Sequence, residues 1–221
     1  MVSLRSFIPQ KLLHSAGPVI GALAKTMIEP NWNQERPSYS EVQEFWIGDV
    51  FNETSVKIDG ASKVRDELRS SHVNGGCEIF CAKFINHPVL HWFVSRNRFD
   101  EIAFFEKFLS SRIFIERQIT FDFDSNLDWE WSSSYILDGD IAKTLKSGGA
   151  YKAFPGSGKE AKTLGQMLCT DVFEERYDDI QVFKTYKPWS DWFYDVAWDQ
   201  TWIIVDKRRL LIWAILLTDT D

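Results

Sequence analysis

The sequence feature that most limits the possible folds lies close to the C-terminus. Residues 210–217 read LLIWAILL, eight apolar residues without interruption. A strand that is apolar on both faces is normally central in its sheet and covered on both sides. The polar residues 206–209 separate this run from 201-TWIIV-205, so the two runs are predicted to form a hairpin in which Val205 pairs with Leu210. The C-terminal segment is therefore predicted to be core.

The other periodic segments predict helices packed against a mostly antiparallel sheet. Strand composition or alternation occurs at residues 78–85, 119–124, 128–131, 180–186 and 192–198. Helical patterns occur at residues 9–28 (interrupted at Gly17-Pro18), 62–71, 99–111, 139–147 and 158–173, with a further short helix capped by Ser40. A chain of 221 residues is long for one domain and short for two, so we expect a single α+β domain over residues 1–221. Its C-terminal hairpin is expected to be central.

The charge balance argues against nucleic acid as a partner. The chain carries 32 acidic and 25 basic residues and a net charge of −7, whereas non-specific nucleic-acid binding depends on Lys and Arg at the phosphates. An acidic surface attracts basic partners instead. The 10 Trp, 17 Phe and 6 Tyr residues suit both thick cores and recognition surfaces.

Cysteine usage and hydropathy favour a cytoplasmic protein. Cys77, Cys81 and Cys169 are an odd number without a disulfide framework, which is typical of reduced, buried thiols. No run reaches the ~20 apolar residues that a membrane-spanning helix needs, so no membrane association is expected. Residues 12–24 have some features of a weak secretory signal, but a Gly-Pro pair and polar residues interrupt the apolar part.

The stretch 154-FPGSGKEAKT-163 looks like a phosphate-binding loop but departs from that motif at two positions. The motif requires G-x-x-x-x-G-K-[ST] between a strand and a helix. Here Ala153 stands in place of the first glycine, and Glu160 stands in place of the magnesium-binding hydroxyl. A carboxylate at that position repels the phosphates that a helix N-terminus attracts. The stretch is therefore predicted to be a turn leading into a helix, and no nucleotide or other cofactor is expected.

A second pattern, in residues 122–133, starts like a calcium-binding loop. Asp122 and Asp124 have the alternating spacing of the first ligands, but Leu127 and Ser133 stand where the loop needs a glycine and a bidentate acid. Acids on an edge strand or a turn explain the pattern better.

A third pattern contains zinc-ligand residue types, namely Cys77, Cys81, His87 and His91. If residues 78–85 form a strand, the two cysteines lie roughly 13 Å apart at about 3.3 Å per residue. That separation is too large for one ion, so core thiols and partly buried histidines are predicted.

Acidic residues recur every fourth position in 191-DWFYDVAWD-199. Either as a strand or as a helix, Asp191, Asp195 and Asp199 are grouped on one side. The predicted hairpin register, extended outward, places Asp195 opposite Thr220 and Val196 opposite Asp219. Residue Asp221 ends the chain beside them.

This convergence of negative charge needs a compensating positive group, because like charges at short distance destabilise a fold. The compensation could be a Lys or Arg from elsewhere in the chain, a divalent metal ion or a basic partner. If instead the strands do not continue straight, the acids spread into solvent. Trp189, Trp192 and Trp198 are the candidate aromatic residues of a surface formed here.

Two functional hypotheses follow. The first is a non-enzymatic intracellular protein that docks a basic protein on an acidic, Trp-rich surface, as a toxin-neutralising protein would. The second is a metal-assisted hydrolase that uses Asp195, Asp219 and Asp221. A flat acidic face with Trp and Tyr around it would favour the first hypothesis, and a deep pocket lined by these acids would favour the second.

Overall fold

The computed structural model describes residues 27–56 and 58–221. The helix predicted at residues 9–28 and the signal-like residues 12–24 therefore lie outside the described residues, except for Met27 and Ile28. These two residues are not helical.

The described residues form seven α-helices and six β-strands. The helices are α1 (Tyr39–Phe45), α2 (Asp59–Ser71), α3 (Pro88–Ser95), α4 (Phe104–Leu109), α5 (Arg112–Ile115), α6 (Leu137–Ser147) and α7 (Gly158–Phe173). The strands are β1 (Phe51–Thr54), β2 (Gly76–Phe84), β3 (Glu130–Ser132), β4 (Ile180–Thr185), β5 (Gln200–Asp206) and β6 (Leu211–Thr218). None of these helices has both the length and the apolar character that crossing a bilayer requires.

The six strands form one antiparallel sheet with β6 near its centre. The strand order is β1-β2-β6-β5-β4-β3, and every neighbouring pair is antiparallel. All eight residues of β6 are buried. The predicted α+β fold with a central C-terminal hairpin is thus confirmed.

Each face of the sheet is covered by its own hydrophobic cluster. On one face, Ala214 and Leu216 of β6 pack in a cluster rich in Phe, which we call the aromatic cluster. Helices α1, α3, α4 and α5 cover it. On the other face, Trp213 and Ile215 pack in a second cluster closed by α2, α6 and α7. The alternation of side chains along β6 sends successive residues into the two clusters, which explains why the strand carries no polar residue before Thr218.

The helix predicted from the glycine-rich stretch is confirmed. Helix α7 begins at Gly158, and the Ser157 side chain caps it by accepting a hydrogen bond from the Glu160 amide N–H. The Glu160 carboxylate in return accepts the Ser157 amide N–H at 2.6 Å. This reciprocal capping occupies the first-turn amide that a phosphate would need. That this stretch does not bind a nucleotide stays a prediction.

Two predicted helices differ from the structure in detail. The helix expected over residues 99–111 is interrupted, because Ala103 adopts a left-handed conformation with φ of 50° between a 3-10 turn and α4. Helix α1 is capped by Ser38 rather than Ser40, since Ser38 is the residue three positions before Glu41 and the two form a capping box.

Two predicted strands, at residues 119–124 and 192–198, are wrong. In the first segment Ile119 and Phe121 are buried in the aromatic cluster, but the backbone turns at residues 123–124 instead of joining the sheet. In the second segment Phe193 is buried in the same cluster, and the chain forms turns up to the start of β5. In the first segment the alternating burial of Ile119 and Phe121 comes from loop packing, whereas in residues 192–198 Phe193 alone is buried and the alternating sequence has no counterpart in burial.

The predicted hairpin register is wrong by two residues. Asp206 pairs with Leu211 and Val205 with Ile212, so the connecting loop comprises residues 207–210. The reason is that the polar residue Asp206 belongs to β5: it is 1% exposed, and its carboxylate accepts two hydrogen bonds from the Arg176 guanidinium at 2.9 and 2.5 Å. A shift of two residues leaves every side chain on its predicted face.

We expect Asp206→Asn to destabilise the fold by about 3 kcal/mol, because removing one partner of a buried ion pair leaves the other charge uncompensated. Arg176 is only 11% exposed in its side chain. Urea unfolding of the variant and the wild type measures this difference. The control is Asp66→Asn, which breaks an exposed ion pair with Arg65 and is expected to change stability by less than about 1 kcal/mol. Equal stability of the Asp206 variant and the wild type would contradict the assignment.

Candidate functional site

The predicted site residues lie at one end of the sheet, which we call the upper end. It is the end at which β6 finishes at Thr218 and β5 starts at Gln200. The connection from β4 to β5, residues 186–199, crosses this end, and the C-terminal residues 219–221 follow it directly. The structure separates these residues into buried structural groups and exposed groups.

Asp219 is a buried structural acceptor. It is 0% exposed, and its two carboxylate oxygens accept hydrogen bonds from the amide N–H groups of Asn74 at 2.9 Å and Ala150 at 2.7 Å. Gly149 permits this approach, since a Cβ atom there would lie 2.2 Å from an Asp219 oxygen. The carboxylate thus ties two loops to the end of β6.

A neighbouring histidine does not neutralise this carboxylate. His72 is buried, and its Nδ1 lies 3.0 Å from the Leu68 carbonyl oxygen. Burial lowers the pKa of His72, although the hydrogen bond to Leu68 and the charge of Asp219 act in the opposite direction. The imidazole is therefore neutral at pH 7, and Asp219 is satisfied by backbone amides alone.

Asp199 has the same kind of role. It is 1% exposed, and its carboxylate accepts hydrogen bonds from the Thr218 hydroxyl at 2.5 Å and from the Val196 amide at 3.1 Å. This pair fastens the start of β5 to the end of β6. Two of the five predicted binding acids, Asp199 and Asp219, are consequently unable to reach a partner.

Asp191, Asp195 and Asp221 are exposed. Asp195 lies in a turn with φ of 57°, a left-handed conformation that Asp and Asn tolerate better than most residues. The extended pairing of Asp195 with Thr220 is not formed, because residues 192–198 are not a strand. The predicted convergence of all five acids is therefore wrong, whereas three of them do face solvent.

Of the three candidate surface tryptophans, Trp189 is misassigned. It is 0% exposed, and its indole N–H donates to the Thr201 hydroxyl at 2.9 Å. Its ring packs edge-on against Phe114 and Phe193. Trp192 and Trp198 are half-buried, so part of each ring remains accessible.

The acidic part of the connection between β4 and β5, residues 191–195, is the first acidic segment of the upper end. A second acidic segment, residues 120–124, lies beside it. The Asp122 amide N–H donates to the Trp189 carbonyl oxygen at 2.8 Å, which places residues 122–124 beside residues 189–191. Asp122, Phe123 and Asp124 are exposed, and Phe123 is 76% exposed despite its size. Sequence reasoning treats these acids only as calcium or turn residues. The one local signal for them is that residues 122–131 contain no Lys or Arg.

Together the two segments form a surface that we call the upper acidic surface. Its residues are Asp122, Phe123, Asp124, Asp191, Tyr194 and Asp195, all exposed. None of its four carboxylates forms an ion pair within residues 27–56 and 58–221. Their only side-chain hydrogen bond in this part of the chain is local, from the Asp124 amide to the Asp122 carboxylate at 2.9 Å.

An open cavity of about 330 Å³ lies within this surface. It is lined by Ser190, Asp191, Trp192 and Tyr194 of the connection between β4 and β5 and by Gly75, Gln118, Thr120 and Thr218. A Cβ atom on residue 75 would lie 2.3 Å from the Thr218 carbonyl oxygen, so glycine is needed for the approach of these two backbones.

The side chains required by the metal-site hypothesis are not arranged around one point. In the described ranges, no group of three His, Cys, Asp or Glu side chains could hold a metal ion. Both oxygens of Asp219 face backbone amides, so this residue has no oxygen directed towards Asp195. Within residues 27–56 and 58–221, Asp191 is the only acid that lines the open cavity.

The cysteines and histidines of the zinc-ligand pattern also lie apart from one another. Cys77 and Cys81 lie on β2 and face the cluster opposite to the one covered by α3. His87 caps α3 through its Nδ1, and His91 lies within that helix. All three cysteines are free and buried, as predicted, and burial raises the pKa of each thiol.

No protein-family model matches the chain, and no curated protein matches it. Function is therefore inferred from the chemistry and geometry of the upper end alone.

The two kinds of aspartate should respond differently to substitution. We expect Asp219→Asn to destabilise the protein by about 1–3 kcal/mol, because an amide NH₂ would face one of the two buried backbone N–H groups. Asp195→Asn should change stability by less than about 0.5 kcal/mol, since the residue is exposed and Asn tolerates its backbone conformation. Urea unfolding of both variants measures these values. The opposite order of stabilities would show that Asp195, not Asp219, holds the fold.

Proposed function

We propose that this chain is a non-enzymatic intracellular binding protein that docks a basic protein on the upper acidic surface. The observation that carries the proposal is the backbone hydrogen bond from Asp122 to Trp189. It brings two acidic segments, distant in sequence, to one end of the sheet. None of the four carboxylates forms an ion pair with another described residue, and a basic partner would supply the complementary charge.

The aromatic residues of the surface support a protein as the partner. Phe123 is 76% exposed and Tyr194 is 51% exposed, and Trp192 keeps part of its ring accessible. Aromatic side chains are enriched at the centres of protein interfaces, where they supply contact area at low entropic cost. Nucleic acid is an unfavourable partner for the same surface, because its phosphates would meet four carboxylates.

The four carboxylates should increase mainly the rate at which the partner associates. Exposed carboxylates steer an approaching basic surface and raise the association rate, and salt screens this effect. A toxin-neutralising protein requires such fast capture, because it must bind its target before the target acts. Cytoplasmic location belongs to this proposal, since reduced cysteines and a cytoplasmic target are compatible with each other.

The test uses two variants that lose the same number of negative charges. The four-carboxylate variant replaces Asp122, Asp124, Asp191 and Asp195 by Asn. Asparagine at position 122 keeps the side-chain oxygen that accepts the Asp124 amide N–H. Asparagine at position 195 tolerates the left-handed backbone conformation of the turn. The control variant replaces four exposed acids outside both segments, namely Glu35, Glu44, Asp49 and Glu175, by their amides.

Tagged wild-type protein is used to capture a partner from cells of the source organism, and the captured protein is purified and its binding kinetics are measured at several salt concentrations. We expect a basic protein whose association rate falls with salt. At roughly 0.5 kcal/mol per exposed carboxylate, the four-carboxylate variant should bind about thirtyfold more weakly, with most of the loss in the association rate. The control variant should bind within about threefold of the wild type.

The proposal would be wrong if the captured protein bound both variants equally. It would also be wrong if the captured protein were acidic, or if its association rate did not depend on salt.

A further inference from the structure

We infer that the open cavity in the upper acidic surface receives an arginine side chain of the basic partner. This inference rests on the proposed function and specifies the group that anchors the partner. It is carried by the lining of the cavity, which combines a carboxylate, polar acceptors and aromatic rings.

Two hydroxyls in the lining are already engaged, because Ser190 accepts the Trp192 amide N–H and Thr218 donates to Asp199. The other polar side chains are unused. The side chains of Gln118, Thr120, Asp191 and Tyr194 line it, and none of them forms a hydrogen bond or an ion pair with another described residue. Three of these side chains offer neutral oxygens, and Asp191 offers a carboxylate. An occupant with several N–H donors and a positive charge would satisfy them together.

The rings of Trp192 and Tyr194 complete the site. Their faces attract cations, and a guanidinium binds an aromatic face better than an ammonium because it is planar and weakly hydrated. The ring of Trp192 is held in place by an edge-on contact with buried Phe193, at a centroid distance of 5.0 Å. The aromatic wall is therefore preorganised before the partner arrives.

The size and charge of the cavity limit its occupant. A volume of about 330 Å³ is near the lower end of ligand pockets, which run from about 300 to 1,000 Å³, so it suits one long side chain better than a larger molecule. Among the described residues, Asp191 is the only charged one in the lining. The exposed carboxylates of Asp122 and Asp195 belong to the same surface and add to its negative charge.

Arginine fits this lining better than lysine. Its guanidinium presents five N–H donors in a plane, so it can pair with the Asp191 carboxylate and reach a neutral acceptor while it lies on a ring. A lysine ammonium offers three donors at one point and retains more water. The two residues are therefore distinguishable by experiment.

The probes are three peptides that differ in one side chain: acetyl-Gly-Arg-Gly-amide, the lysine analogue, and the citrulline analogue, which keeps the shape of arginine without its charge. Binding to the full chain is followed by the NMR signal of the Trp192 indole N–H, which the spectrum of Trp192→Phe identifies. We expect a saturable shift with the arginine peptide, binding weaker by at least about threefold with the lysine peptide, and no saturable shift with the citrulline peptide.

Two variants test whether the Asp191 carboxylate binds the arginine side chain. Asp191→Asn should weaken the arginine peptide by about tenfold, the equivalent of about 1.4 kcal/mol. The matched control is Asp128→Asn, which removes an exposed acid outside the upper acidic surface at a left-handed position with φ of 41°. This control should leave peptide binding within about twofold of the wild type. An unchanged chemical shift of the Trp192 indole in the free variants verifies that the cavity is intact.

The inference is overturned if the citrulline peptide binds as well as the arginine peptide, if no peptide gives a saturable shift, or if Asp191→Asn binds like the wild type. Its failure differs from that of the proposed function. Loss of partner binding in the four-carboxylate variant, together with no peptide binding, would reject the arginine site and keep the acidic docking surface.

Discussion

The burial of β6 on both faces is the constraint on which the rest of the structure depends. All eight of its residues are buried, so both faces of the sheet must be covered, and the two hydrophobic clusters meet this requirement. The aromatic cluster accommodates most of the phenylalanines of the chain, which explains why a protein of this composition needs no disulfide. Helices and loops then occupy both faces, and the ends of the strands remain accessible to solvent.

At the upper end, the polar residues are divided between holding the fold and facing solvent. The carboxylates of Asp199 and Asp219 accept hydrogen bonds from a hydroxyl and from backbone amides. These bonds fix the start of β5 and the end of β6. Asp191 and Asp195 lie on the connection that precedes β5, and their carboxylates accept no hydrogen bond from another residue in the described part of the chain. A rigid frame with free charges on its connecting loops is an arrangement suited to binding.

The sequence predicts the elements with strong local patterns and fails where distant residues decide. The apolar run 210–217 and the helical pattern of residues 158–173 are local signals, and both elements form where expected. In the observed hairpin register the Asp206 carboxylate accepts the nearby Arg208 and Arg209 amide N–H groups and also pairs with Arg176, 30 positions away. The second of these partners is not contained in any local pattern. The same holds for the upper acidic surface, because the contact between Asp122 and Trp189 exists only after the sheet has formed. Alternation in the two connecting segments is ambiguous, since a loop that anchors one or two apolar side chains in a core can carry the sequence pattern of a strand.

The central claim is that the four free carboxylates serve binding and not folding. The most direct measurement is the free energy of unfolding of the four-carboxylate variant and the wild type at low and at high salt. Relief of repulsion should make the variant at least as stable as the wild type at low salt, and the difference should shrink as salt screens the charges. A variant that is less stable than the wild type by more than about 1 kcal/mol at both salt concentrations would contradict the claim, because these carboxylates would then be part of what holds the fold together.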